Sequence, residues 1–363
     1  MSLLMYIIYN FFSLAGKGVM DSPEYIQTSL AAAISLGLEK GRFKDGIKLT
    51  GLNLLLVYGR GCIGRCAYCG LSKVPDAERK GKKTFIRVKW PIYKLDEIIR
   101  QTCLRKNGFQ RICVSMITHR NAVGDTIRVT RRLKDKIDLP VSLLISPTVI
   151  KDISVIKEFR RAGADMVGIA IDAATPGLFR KYRGDGVGGP HIWDRYWEVL
   201  RWSVEVFGKF KAGVHLICGL GETEREMVYT IYRAHMMGAK THLFAFYPEA
   251  YSQMEAHPRP GLESYRRVQI AAYLINQLHR PVDAMRFGPK GNICSFDCDL
   301  EEVIGDGYAF MTSGCPGDDP RIAACNRPLA NERPSEAYRN YPYVPSARDK
   351  EIIKGQIKSL WTT

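Results

Sequence analysis

No stretch of this 363-residue chain is apolar for long enough to cross a membrane comfortably. The nearest approach, Met1 to Ala15, is too short and has no basic residues ahead of it. It reads as a packing extension rather than a signal. Acidic residues are scarce: 37 Asp+Glu face 53 Lys+Arg, a formal net charge of +16. That excess biases encounters toward nucleic acid, an acidic protein or an anionic small molecule, or it is a dispersed basic surface. No Lys/Arg run forms a tail or arm. No basic strand interleaved with aromatics and no recognition-helix pattern is present, which disfavours nucleic acid as the partner. Internal repeats and low-complexity tracts are absent. With 46% hydrophobic and 25% charged residues, wholesale disorder is excluded.

Cysteine is what the chain does have, ten in all. A small secreted disulfide scaffold is the wrong class for so long a chain. Three of the ten crowd into the eight residues from Cys62 to Cys69. Reduced thiols that bind metal fit better, which places the protein in the cytoplasm.

Regular patterning begins near Asp21-Ser22-Pro23, a capping side chain followed by Pro, which predicts a helix running through Ile26, Leu30, Ala33 and Ile34 to Gly41. Unbroken apolar runs then mark strands at Asn53 to Tyr58, Arg111 to Ile117, Val141 to Ile145, Met166 to Ile171, Val214 to Cys218 and Leu243 to Phe246. Helical patterns separate them: Leu95 to Arg105, Thr126 to Lys136, Ser154 to Ala162, Ile192 to Phe207 and Thr223 to Met237. This alternation predicts an α/β fold with a parallel sheet and outer helices, either a partial or complete (β/α) TIM-type barrel or a doubly wound open sheet. From about Pro289 the chain turns rich in Gly, Pro, Asp and Cys. The expected division is an extension and helix over 1–45, a barrel over 46–288, and a loop-rich, cysteine-containing extension over 289–363.

The segment Gly59-Arg60-Gly61-Cys62-Ile63-Gly64-Arg65-Cys66-Ala67-Tyr68-Cys69-Gly70 follows the first strand of that series. Loops at the carboxyl ends of barrel strands carry active sites. Three thiolates from one loop can each ligate one iron of a cubane cluster and leave the fourth iron open. Zinc is the competing ligand, but its knuckles come as two Cys pairs, not as C-x3-C-x2-C.

That spacing, with Tyr68 before Cys69, resembles the signature of the radical S-adenosylmethionine (SAM) superfamily. The resemblance implies a [4Fe-4S] cluster held by Cys62, Cys66 and Cys69, with SAM on its open iron. It implies a barrel enzyme whose cluster cleaves SAM reductively to a 5′-deoxyadenosyl radical. It groups Tyr68 with the SAM site. It also makes Cys218, Gly219, Leu220, Gly221 and Glu222 candidates for the segment against adenine, or else a strand and helix cap. Asp172 is a candidate for the ribose, or for a helix cap. Ser115 and Thr118 end the strand where the family binds the SAM amino group, although the usual Gly-Gly-Glu is missing there. Gly184 to Gly189 lacks the flanking strand and helix of a phosphate cradle.

Four cysteines lie in the late extension: Cys294, Cys298, Cys315 and Cys325. Four thiolates suit a second, auxiliary [4Fe-4S] cluster or a zinc; disulfides are the remaining alternative. Cys103 and Cys113 are assigned no role, nor is the Cys218 thiol, since isolated cysteines are often small buried hydrophobes.

The run Phe310-Met311-Thr312-Ser313-Gly314-Cys315-Pro316, with Cys325-Asn326-Arg327-Pro328 and Asn331-Glu332-Arg333-Pro334, resembles the C-terminal segment of two-component, archaeal-type lipoyl synthases. The HLICGLGET and GIAIDAATPGLFRKYRG segments are similar to them too. A GDDPRIAA insertion separates Cys315 from Cys325. This resemblance implies a sulfurtransferase that inserts sulfur into an octanoyl chain on a lysine of an acidic carrier protein, an H-protein-like or E2 lipoyl domain. The auxiliary cluster would be the sulfur source, with Ser295, Ser313 or Ser335 as a candidate iron ligand. A second radical SAM subunit and an electron donor such as ferredoxin are the further partners implied. The alternative is a biotin-synthase-like enzyme of cofactor biosynthesis with another substrate.

Overall fold

The computed structural model describes residues 20–43, 47–72, 84–85, 87–105, 108–326 and 336–360. Met1 to Ala15, Ser335 and the segment from Arg327 to Pro334 lie outside the described residues. In chain order come β1 (Tyr25–Thr28), α1 (Leu30–Ser35), β2 (Gly51–Leu56), β3 (Ile92–Lys94), α2 (Leu95–Leu104), β4 (Arg111–Ser115) and α3 (Ala122–Lys134). Then follow β5 (Val141–Ile145), α4 (Ile153–Arg161), β6 (Met166–Asp172), α5 (Pro176–Tyr182), α6 (Trp193–Phe207), β7 (Ala212–Cys218), α7 (Glu224–Met236) and β8 (Ala239–Ala245). The last elements are α8 (Leu262–Asn276), β9 (Met285–Phe287), β10 (Ile293–Phe296), α9 (Leu300–Asp306) and α10 (Ala347–Gln356).

Eight strands form one sheet in the order β3-β1-β2-β4-β5-β6-β7-β8. From β2 through β8 every neighbouring pair is parallel, in sequence order. A doubly wound sheet reverses its order at a switch point. None occurs among the strands of the described residues, and the architecture is a partial TIM-type barrel. Its strands are apolar on both faces because the sheet is covered on both: all six residues of β2 are buried. No helix among the described residues is long and apolar enough to cross a membrane.

The expected helix from Asp21 is corrected. Tyr25–Thr28 is a strand, antiparallel to both β2 and β3. The helix begins only after Ser29, whose side chain accepts from the Ala32 amide. Tyr, Ile and Thr favour the pleated surface, and the true cap lies eight residues beyond Asp21. The Asp21 carboxylate instead accepts from the Gly59 amide at 2.7 Å and pins the start of the cysteine loop.

The late extension is bound tightly to the barrel. The β9–β10 hairpin pairs residues on either side of position 289. Arg266 of α8 is fully buried and donates to Gln356 at 2.8 Å and to the Arg339 carbonyl at 2.7 Å. Residues 311–326 close the amino-terminal end of the barrel. There Thr50 donates to the Ala324 carbonyl at 2.7 Å, and Arg111 donates to the Pro316 carbonyl at 2.9 Å.

Candidate active site and metal centre

The cysteine loop leaves the carboxyl end of β2. Gly61 adopts φ +68°, the left-handed region that glycine enters at no steric cost. Gly64 is needed for space, because a Cβ there would stand 3.0 Å from His191 Nε2 and 3.2 Å from Cys62 Sγ. Cys62, Cys66, Tyr68 and Cys69 line one cavity of about 240 Å³ together with Ser115, Thr118, Asp172, Arg183, His191 and His215. The structure therefore brings four of the SAM candidates, Tyr68, Ser115, Thr118 and Asp172, to the cysteines.

Asp172 ends β6 at φ +67°, next to a register shift against β7. Its Oδ2 accepts from the Tyr68 hydroxyl at 2.6 Å and from Arg183 Nη1. Oδ2 is thus engaged by protein; Oδ1 has no partner among the described residues. Arg183 also reaches the Tyr68 and Tyr196 hydroxyls, each at 3.1 Å. Its buried Nε has no hydrogen-bond partner among the described residues, so the cavity wall holds a donor awaiting an acceptor. His191 shares Nδ1 with Thr148 Oγ1 at 2.6 Å and the Tyr196 hydroxyl at 2.9 Å. Burial, and then the Arg183 charge, lowers its pKa to about 2, so the ring is neutral.

Burial pushes the Cys66 thiol up to about 11, against the pull of Arg183. Burial raises the Cys69 thiol as well, with Cys66 and Cys62 adding to the shift. Buried thiols of this kind ionise when positive metal replaces their protons. Among the described residues no three His, Cys, Asp or Glu side chains are grouped to hold a single metal ion.

Residues 56–232 match the family model described as the radical SAM superfamily. This region is a radical SAM domain. The family implies a [4Fe-4S] cluster and SAM, and the loop fits them: three thiols on one turn, a glycine where a side chain would intrude, and an orphaned arginine donor in the adjoining wall. No curated protein matches the sequence. Among solved structures, the [FeFe]-hydrogenase maturase HydG is similar at 14% identity and TM-score 0.48, over 67% of this chain and 57% of its own. The chain thus spans little more than half of HydG. Methylornithine synthase (PylB) is similar at 15% identity and TM-score 0.46, over 90% of this chain and 85% of its own. The methyltransferase TsrM from Kitasatospora setae reaches 19% identity and TM-score 0.38, over 53% of this chain and 37% of its own.

The other SAM candidates of the domain stand apart from the cysteine cavity. Cys218, Gly219, Gly221 and Glu222 line a second cavity of about 300 Å³ with His257 and Pro260. Leu220 is fully buried. The Glu222 carboxylate accepts from the Gly219 and Leu220 amides at 2.6 and 3.0 Å, so it caps its own turn.

The four late cysteines do not converge. Cys315 and Cys325 meet at the amino-terminal end of the barrel, where the Ala324 amide donates to the Cys315 carbonyl at 2.9 Å. Cys294 lies exposed on β10, with Asn292 Nδ2 3.4 Å from its sulfur. Cys298 follows on the same outer hairpin beside Arg280. The sequence spacing gave no sign of this split, because the hairpin packs outside α7, where the Ile293 amide donates to Glu224 at 2.7 Å. No disulfide forms among the ten cysteines. Ser313 is engaged by Leu243, whose amide donates to its hydroxyl at 2.7 Å. Ser295 lies on β10 opposite Arg286.

Sequence reasoning missed Arg183, His191 and His215. Arg183 lies in the GIAIDAATPGLFRKYRG segment and His215 opens the HLICGLGET segment, but neither was given a role there, and His191 belongs to no quoted segment. The one available signal was position, since Arg183 and His191 lie in the loop region after β6, on the catalytic face of a barrel.

Proposed function

We propose that the chain is a radical SAM sulfurtransferase that inserts sulfur into an octanoyl chain carried on a lysine of an acidic protein. The observation that carries this reading is the Cys315–Cys325 pair beneath the same barrel whose upper rim holds Cys62, Cys66 and Cys69. When bound, the family's cluster and SAM supply a 5′-deoxyadenosyl radical able to take hydrogen from an unactivated carbon, here C6 or C8 of the acyl chain. The protein's own part is to bind and enclose. Tyr68, Asp172 and Arg183 form a fixed polar wall. Leu55, Leu144, Ile217 and Phe244 supply an apolar lining suited to an alkyl chain. The net charge of +16 suits an acidic carrier and speeds its encounter.

The test is to incubate reconstituted enzyme with an octanoylated lipoyl domain, SAM and a reductant, and weigh the carrier. Gain of sulfur by the wild type, lost in Cys325→Ala while SAM cleavage persists, is the expected result. Cleavage of SAM with no sulfur gained on any octanoylated carrier would direct the reading to another reaction of the superfamily.

A further inference from the structure

Three neighbouring strands lay down two rows of residues on the face that lines the barrel. The upper row is Leu55, Ser115 and Leu144, adjacent in register, and all three line the cysteine cavity. Side chains two residues apart on a strand share a face. The row beneath is therefore Asn53, Cys113 and Ser142, again adjacent in register. Cys113 Sγ lies 3.8 Å from Ser115 Oγ, which links the rows directly.

The closing segment brings its two cysteines to this lower row, one on each side of Cys113. Asn53 Nδ2 donates to Cys325 Sγ at 3.2 Å. Cys315 is placed by its neighbours: Arg111, which donates to Ser142 Oγ at 2.9 Å, also donates to the carbonyl of the next residue, Pro316, at 2.9 Å, and the Ala324 amide donates to the Cys315 carbonyl at 2.9 Å. Arg111 is buried, and Asp165 holds it at 2.6 Å. It places a fixed positive charge beside sulfur that must become negative to bind metal.

We propose that Cys113, Cys315 and Cys325 hold a second iron–sulfur cluster at the floor of the barrel, beneath the cavity rimmed by Cys62, Cys66 and Cys69. Three protein ligands leave one iron for a ligand that enters from the cavity. The floor lies two residues below Ser115, roughly 7 Å along the strand. A substrate in the cavity would thus have the radical source above it and the second cluster below. Cys294 and Cys298 take no part. The assignment rests on the sulfur-insertion reading for what the cluster is used for, but its test counts iron without turnover, so the two fail separately.

The experiment is anaerobic iron and sulfide analysis of the full chain. Wild type should hold about eight irons, and Cys113→Ala about four, with C294A/C298A still at about eight. The irons kept by Cys113→Ala at the upper loop report that its barrel is folded. Adding Cys113→Ala to the Cys62/Cys66/Cys69 triple alanine should remove the iron that the triple variant retains. About four irons in wild type, unchanged iron in Cys113→Ala, or iron lost in C294A/C298A would each overturn the assignment. So would a Cys315–Cys325 disulfide found by thiol counting in the reconstituted protein.

Discussion

The Tyr68 hydroxyl donates to Asp172 Oδ2 at 2.6 Å, and this bond ties the cysteine loop to the end of the sixth strand. The same oxygen takes Arg183, so loop, strand and the end of α5 meet at one carboxylate. The cysteine loop is thereby held against the wall that faces its cavity.

Tyr68→Phe removes the phenolic donor and leaves the ring. A buried hydrogen bond to a charged acceptor contributes about 1.5–3 kcal/mol. Calorimetry should show a lower Tm, and the iron of the upper loop should yield faster to a chelator. An unchanged Tm with unchanged chelation would show that the bond does not brace the loop.

Arg183→Met should be more damaging than Tyr68→Phe. The ion pair is shielded, with side-chain exposures of 8% for Arg183 and 13% for Asp172. Removing one partner of such a pair costs about 3–5 kcal/mol, because a buried charge is left uncompensated. Urea unfolding should record a loss of that order. Adding Asp172→Asn should recover part of it, since the stranded charge is then gone.

His191 sets an acid limb to stability. Its folded pKa, about 2, lies below its ordinary value of 6.5, so the unfolded chain takes up the proton first. The contribution is therefore whole above pH 6.5 and shrinks as pH falls through the window down to about 2. The loss should approach about 1.4 kcal/mol per pH unit. Urea midpoints on either side of the ordinary histidine pKa should show a steeper fall for wild type than for His191→Asn. Equal slopes would mean that the imidazole is not held neutral.

Gly64→Ala puts a methyl group against His191 Nε2 and Cys62 Sγ. The His191 ring and the Cys62 thiol must each give by a few tenths of an ångström to admit it. Iron at the upper site should fall several-fold while far-UV circular dichroism stays constant. Full iron loading would show that the loop has room to spare.

The parallel strands were legible because strands buried on both faces read as unbroken apolar runs. Val141–Ile145 matches the expected span residue for residue, and Met166–Asp172 exceeds it by one. The cysteine loop was legible because its ligands are adjacent in the chain. β1 was not, since its capping-like Asp21-Ser22-Pro23 is local while its pairing with Leu54 to Leu56 is tertiary. The floor of the barrel was hidden for the same reason. Cys113 and Cys325 are more than two hundred residues apart, and only strand register and the Asn53 bond relate them. The roles of Arg183 and His191 were hidden because a single polar side chain acquires its meaning from what the fold sets beside it.

The central claim, that the Cys62–Cys69 loop holds the radical-generating centre, is tested most directly by reductive SAM cleavage. Reconstituted wild type and Cys66→Ala would be supplied with SAM and a strong one-electron reductant, and 5′-deoxyadenosine and methionine measured. Equal amounts of both products from wild type, and none from a folded Cys66→Ala, are predicted. Cleavage by Cys66→Ala, or none by iron-loaded wild type, would contradict the account.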